Sequence, residues 1–310
     1  MKSPSTPRLQ KTQVLNLNKA PLCQAPDRVL RRPDLLFPAG ATDCHAHICG
    51  PQSTFPYFSE RIYTPPDALL PDYFNLLTHL GVERAVLVQP SIYGTDNRAM
   101  LAALKAFPAK LRGVAVVDNT ITDAEIEALH QAGVRGLRCN IVDLADATGQ
   151  LPMAMLRSLA QRIAPFGWHL EFLMHVDAFP QLQNDFHDFP VEIVIGHFGY
   201  VKATLGIANA GFQNLCAMMR EGRAWVKFTG TYRISEQVTP PYSDVNPFAQ
   251  ALIKANPQQI VWGTDWPHVM VKGFMPNDAD LCDLLGNWIE EPTLLQQILV
   301  SNPERLYDFR

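Results

Sequence analysis

Asp43-Cys44-His45-Ala46-His47 stands near the start of this chain, and Gln259-Ile260-Val261-Trp262 runs into Gly263-Thr264-Asp265-Trp266-Pro267-His268 near its end. On a strand, side chains two apart share one face. Asp43, His45 and His47 are therefore expected to point the same way. The second stretch ends an apolar run with a carboxylate. Two strand ends far apart in the chain, both offering metal-ligand or proton-transfer groups, point to one site on a closed sheet. A lone His-x-His would read as two surface histidines on a half-exposed strand. The distant Gly-Thr-Asp partner favours the site.

Working outward, further strand-like segments lie at 83–89, 112–117, 134–139, 168–174, 191–197 and 223–229, which with 41–47 and 259–265 make eight. Several are continuous apolar, β-branched runs, such as Val191-Glu192-Ile193-Val194-Ile195-Gly196-His197. That pattern fits parallel strands buried on both faces. Helix-like stretches at 67–80, 122–132, 152–164, 207–221 and 246–255 separate them, with extra helices expected after 277. Thr122-Asp123-Ala124-Glu125 resembles a helix start, and Gly133 stands just past that helix's end. The repeat of strand and helix predicts an α/β fold, a TIM-type (β/α)8 barrel over 36–310. A doubly wound open sheet is the alternative, weakened by the absence of G-x-G-x-x-G after the first strand. Residues 1–35 are polar and Pro-rich and read as an N-terminal arm. Cys44, alternating with His45, is expected to point out of the barrel into the core around it.

Composition narrows the classes. Hydrophobic residues make up 47% of the 310 and charged residues 18%, which fits a filled core rather than disorder. A net charge of −4 gives no reason to invoke nucleic acid or an anionic membrane as partner. The six cysteines form no C-x-x-C pair, and reduced thiols in a cytoplasmic protein are expected. No apolar stretch approaches ~18 residues, so no membrane span is expected. Monomer and homo-oligomer are both open.

In a TIM barrel the active site lies at the C-terminal ends of the strands. His45 and His47 fall there on strand 1, His175 after strand 5, His197 on strand 6, and Asp265 and His268 at strand 8. His79, His130, His169 and His187 fall on helices, in mid-strand or in a surface loop, and read as structural or solvated. The same rim carries Arg138, Arg233, Gln89, Ser91 and, in the loop after strand 1, Tyr63. An arginine fork pairs bidentately with a carboxylate, so two of them favour a small anionic substrate over surface salt bridges. A carboxylate among neutral imidazoles can act as general base toward water, while imidazoles or a metal polarise a carbonyl. That is the chemistry of ester, lactone or amide hydrolysis. No G-x-S-x-G elbow is present to support a serine acyl-enzyme.

Asp-x-His-x-His on strand 1, His197 on strand 6 and Gly-Thr-Asp-x-Pro-His on strand 8 resemble the amidohydrolase superfamily, in the branch that holds the pyrone-dicarboxylate lactonases. The resemblance extends over roughly residues 36 to 309, through Arg61-Ile62-Tyr63-Thr64-Pro65, Gln89-Pro90-Ser91, Gly136-Leu137-Arg138, Tyr242-Ser243-Asp244-Val245 and Asn302-Pro303. It implies that Asp265 activates the hydrolytic water and that His45, His47 and His197 polarise the lactone carbonyl. It implies that Tyr63, Ser91, Arg138, Arg233 and His268 hold or frame the substrate. Two positions depart from the pattern. Asn140-Ile141-Val142-Asp143-Leu144 lacks the second arginine of the dicarboxylate lactonases, and Leu173 stands where they have a tyrosine.

The resemblance leaves the metal open between two forms. One needs no cofactor. The other holds one divalent ion, zinc first, on His45, His47, His175 and Asp265. Arg138 and Cys139 stand where the superfamily places a bridging strand-4 ligand, which argues against a binuclear site. Sugar-lactone and sulfomuconolactone hydrolases share the frame, and a mononuclear metal-dependent decarboxylase or hydratase is the other enzyme class. A binding barrel without activity is disfavoured, because the imidazoles and the carboxylate all stand.

Overall fold

The structure, a computed structural model, describes residues 20–142 and 151–309. All eight strand-like segments form strands. They are β1 Thr42–Ala46, β2 Arg84–Val88, β3 Leu111–Ala115, β4 Val134–Asn140, β5 His169–Leu173, β6 Ile193–Ile195, β7 Ala224–Phe228 and β8 Ile260–Trp262. Each pairs in parallel with the next, in the order β1 to β8. Just beyond β8 the ring meets β1 through a bridge between Ala46 and Trp266. There His47 N donates to the Trp266 carbonyl and Asp265 N to the His45 carbonyl, each at 2.8 Å. This is a TIM-type barrel, and the closure rules out the open doubly wound sheet.

The seam needs Gly263. A β-carbon there would lie 2.6 Å from His45 N and 2.9 Å from Asp43 Oδ1, so only glycine admits the two backbones at this spacing. Helices α1 Leu70–Leu80, α2 Arg98–Ala106, α3 Asp123–Gln131, α4 Met153–Ile163, α5 Leu182–Asp185, α6 Ala210–Arg220 and α7 Asn246–Ala255 lie between strands. They are followed by α8 Asp278–Trp288, α9 Pro292–Gln296 and α10 Asn302–Tyr307. Thr122 caps α3 in a capping box with Glu125, as the sequence predicts. Asn209 accepts from Phe212 N, which starts α6 three residues later than 207. The barrel floor packs Cys44, Val86, Val114, Val194, Trp225 and Val261 against Tyr307 and Phe309 from the C-terminal segment.

Two expectations about β1 are corrected. Asp43 does not share a face with His45 and His47, and Cys44 points into the barrel rather than out of it. The register of β1 against β2 shifts between Asp43 and Ala46, so strict alternation fails there. Asp43 faces the helix layer, where its carboxylate accepts from Tyr73 Oη at 2.8 Å and Thr264 Oγ1 at 2.6 Å. Cys44 remains core, but in the floor of the barrel.

Of the arm expected over 1–35, residues 1–19 lie outside the described residues, as do 143–150, which include Asp143 and Leu144. From residue 20 the chain lies against the loop after β1, with Cys23 N donating to Thr64 O at 2.9 Å and Thr64 N to Pro21 O at 2.8 Å. Among the described residues no helix is long and apolar enough to cross a membrane.

Candidate active site

The barrel mouth brings one carboxylate and three imidazoles together. Asp265 Oδ1 lies 3.6 Å from His45 Nε2 and 3.8 Å from His47 Nε2, and Oδ2 lies 4.0 Å from His197 Nδ1. All four residues are buried. His197, Asp265 and His268 each adopt a positive φ, of 50°, 66° and 58°. Such backbone is costly for residues with a β-carbon, and it gathers where a side chain must be aimed.

A second ring of contacts orients these groups. Asp265 Oδ2 accepts from Arg233 Nε and from Tyr232 Oη, both at 2.7 Å. Arg233 also donates to the Val269 carbonyl at 3.0 Å. Tyr232 Oη lies 3.1 Å from His268 Nδ1, and His268 Nε2 lies 3.1 Å from Asp278 Oδ1. His47 Nδ1 is held by the Val88 carbonyl at 2.7 Å and His197 Nδ1 by Thr229 Oγ1 at 2.8 Å. Beneath His45, Lys227 Nζ approaches Nδ1 at 3.3 Å.

Burial would push the Asp265 carboxyl up, but the Arg233 charge and then the three imidazoles hold it well below the usual carboxylate range. Burial pulls His47 down to about 4 and His197 to about 3, and takes His45 well below its ordinary value with help from Lys227. The resting site is one carboxylate among neutral imidazoles. His45, His47 and Asp265 also offer three ligand atoms within 4.8 Å of one another, a donor set suited to one divalent ion.

Two clefts open at this rim. One, of about 210 Å³, is lined by Ser91, Gln89, Arg138, Arg61 and Phe58. The other, of about 450 Å³, is lined by Tyr200, Tyr232, Arg233, Lys202 and Phe274. Arg138 spends one N–H on the Gln89 carbonyl at 2.8 Å. The surroundings of three expected residues bear on their roles. Tyr63 is buried in the apolar core, beside the cleft-lining Arg61 and Ile62. His175 stands outside the three-donor cluster, with Nδ1 on the Tyr200 carbonyl at 3.0 Å. Arg233 stands at the mouth as expected and lines the larger cleft, but its Nε is paired with the Asp265 carboxylate.

Sequence reading missed Glu171, Lys227 and Tyr232. The signal was available for the first two. Each is a charge at an alternating position within an apolar strand, Glu171 in His169–Leu173 and Lys227 in Ala224–Phe228. Buried charges of this kind are rare unless paired. His169, read as structural, is buried without a hydrogen-bond partner for either ring nitrogen.

Comparison with known proteins follows the same lines. The family model described as Amidohydrolase matches residues 42–309. The chain is 40% identical to a 2-pyrone-4,6-dicarboxylate hydrolase of Comamonas testosteroni, over 89% of this chain and 92% of that one. It is 32% identical to a 4-sulfomuconolactone hydrolase of Hydrogenophaga intermedia, over 93% and 95%. A crystal structure of a probable 2-pyrone-4,6-dicarboxylic acid hydrolase from Acinetobacter baumannii, with citric acid bound, superposes with a TM-score of 0.76 at 27% identity. That match covers 87% of this chain and 100% of that one.

Proposed function

The chain belongs to the amidohydrolase family, and from that premise we propose that it hydrolyses a small anionic lactone with Asp265 as the base that activates water. The observation that carries this reading is the Asp265 carboxylate ringed by His45, His47 and His197 at 3.6–4.0 Å. Asp265 accepts a proton from water. The resulting hydroxide attacks the lactone carbonyl while an imidazole N–H donates to the oxygen that gains charge. The ring C–O bond then breaks, its leaving oxygen takes the proton back from Asp265, and the new carboxylic acid ionises at neutral pH. Arg138, facing the smaller cleft, holds a substrate carboxylate; Ser91 lines the same cleft. His268 and Tyr232 keep Asp265 aimed. The relatives named for 2-pyrone-4,6-dicarboxylate and 4-sulfomuconolactone both act on anionic cyclic esters, which supports the substrate class. A divalent cation, where bound, would sit on His45, His47 and Asp265 and supply Lewis-acid polarisation of the carbonyl. The six unpaired cysteines support action in the cytoplasm.

The test is acid release from 2-pyrone-4,6-dicarboxylate, 4-sulfomuconolactone and a neutral lactone, followed with a pH indicator. The anionic lactones are expected to turn over, and Asp265→Asn to lower kcat by roughly 10²–10⁴. No acid release from any of the lactones, or an Asp265→Asn variant that keeps most of its turnover, would remove the reading.

A further inference from the structure

Below the mouth lies a charged pair that the proposed reaction does not use. Lys227 of β7 and Glu171 of β5 are both buried inside the barrel, with Nζ 2.6 Å from Glu171 Oε2 as a charge contact. The same ammonium makes two hydrogen bonds, to the Cys44 carbonyl at 2.7 Å and to His45 Nδ1 at 3.3 Å. An ammonium only donates. It stands at hydrogen-bond distance from Nδ1 only where Nδ1 presents its lone pair. The proton of a neutral His45 is then on Nε2, which faces Asp265 Oδ1 at 3.6 Å and has no hydrogen-bond partner. His47 is the opposite case. Its Nδ1 lies 2.7 Å from the Val88 carbonyl, which only accepts, so Nδ1 carries the proton and Nε2 turns its lone pair to the site.

We propose that Lys227 is a positioning residue that holds His45 with its proton on Nε2, so that the two strand-1 histidines present one N–H donor and one lone pair to the same pocket. The N–H of His45 is then aimed where a carbonyl oxygen gains charge. A divalent cation would have to displace that proton before His45 could ligate it. Glu171 marks the alternative. Its Oε1 lies 3.3 Å from the same Nδ1, and without the lysine it would draw an Nδ1–H and leave Nε2 free to bind metal, the usual arrangement around a histidine ligand. The consequence for rate rests on the lactonase reading; the position of the proton does not.

The experiment uses the full chain with ¹⁵N-labelled histidine. His45 is assigned from the signals lost in His45→Gln, and nitrogen shifts distinguish a protonated ring nitrogen from one with a lone pair. The wild type is expected to show His45 protonated on Nε2. Lys227→Met is expected to move the proton to Nδ1, to tighten binding of zinc alone by roughly ten- to a hundredfold, and to lower kcat with little change in KM. A wild-type His45 protonated on Nδ1, or zinc affinity unchanged in Lys227→Met, overturns the proposal. Should Glu171 left alone prevent folding, Lys227→Met with Glu171→Gln removes both charges. There the single fixed tautomer is expected to be lost, and its persistence also overturns the proposal. A wild type with the expected tautomer but no turnover of any lactone removes the function and leaves the positioning role standing.

Discussion

On the proposed mechanism, the two mouth arginines divide the work, Arg233 positioning the base and Arg138 binding substrate. Arg233 lines the larger cleft but donates from Nε to Asp265 Oδ2 at 2.7 Å, whereas Arg138 lines the smaller cleft with no carboxylate partner among the described residues. Arg138→Met is therefore expected to raise KM for anionic lactones ten- to a hundredfold. That matches about 1.5–3 kcal/mol for a hydrogen bond to a charged group, and neutral lactones should lose little. Arg233→Met is expected to lower kcat on neutral and anionic lactones alike, because it releases the base. Steady-state kinetics of both variants on one neutral and one anionic lactone check this. The reverse pattern would put the carboxylate clamp on Arg233, one of the two arginines the sequence assigns to it. The same ion pair changes what Asp265→Asn does. A carboxylate in a wet pocket would add little to folding, but Asp265 is buried against Arg233, and neutralising it leaves that cation without its partner. Its rate deficit must be read at a temperature where circular dichroism shows the variant folded.

Strands and helices were legible because each carries its own period and punctuation. Apolar β-branched runs marked β2, β6 and β8, and Thr122 with Glu125 marked the start of α3. The irregular element was β1. A period-two reading cannot see a register shift, because the shift comes from how β1 meets its neighbours rather than from its own residues. Hence strict alternation puts Asp43 and Cys44 on the wrong sides, while His45 and His47 both face the mouth. Gly263 is where this seam can be tested. Gly263→Ala puts a β-carbon 2.6 Å from a backbone nitrogen that carries the catalytic-type His45. Overpacking of this kind costs about 1–3 kcal/mol, and here it also displaces the site, so Tm and kcat should fall together. Thr122→Ala, which removes only the α3 cap, is the control, expected to cost about 1 kcal/mol with kcat unchanged. If Gly263→Ala turned over like the wild type, the seam would not be what aims the histidines.

At the scale of the whole barrel, the molecule buries imidazoles on both the rim and the strand interior. The rim histidines were legible by their place at strand ends. The interior charges leave a signal, a charge at an alternating position of an apolar strand, but only the closed ring pairs Glu171 of β5 with Lys227 of β7. His169 shows the consequence for stability. Burial lowers its pKa from 6.5 to about 3 in the folded barrel, with Lys227 adding to the effect and Glu171 opposing it. Above pH 6.5 it is neutral in both folded and unfolded chains and adds no pH dependence. Between 6.5 and about 3 the unfolded chain takes up a proton that the folded chain refuses, so stability falls as pH falls. Below about 3 both states carry the proton and the slope ends. One such group contributes at most about 1.4 kcal/mol per pH unit. His169→Phe removes the titration. The larger ring presses on Gly136, where a β-carbon would already lie 2.5 Å from His169 Nε2, so the variant is expected to be less stable at pH 7. That offset is the same at every pH. What should change is the slope, and urea unfolding of both proteins at pH 7, 6, 5 and 4 measures it. The wild type is expected to lose stability more steeply than His169→Phe across that range; parallel acid limbs would mean that His169 is already protonated inside the barrel.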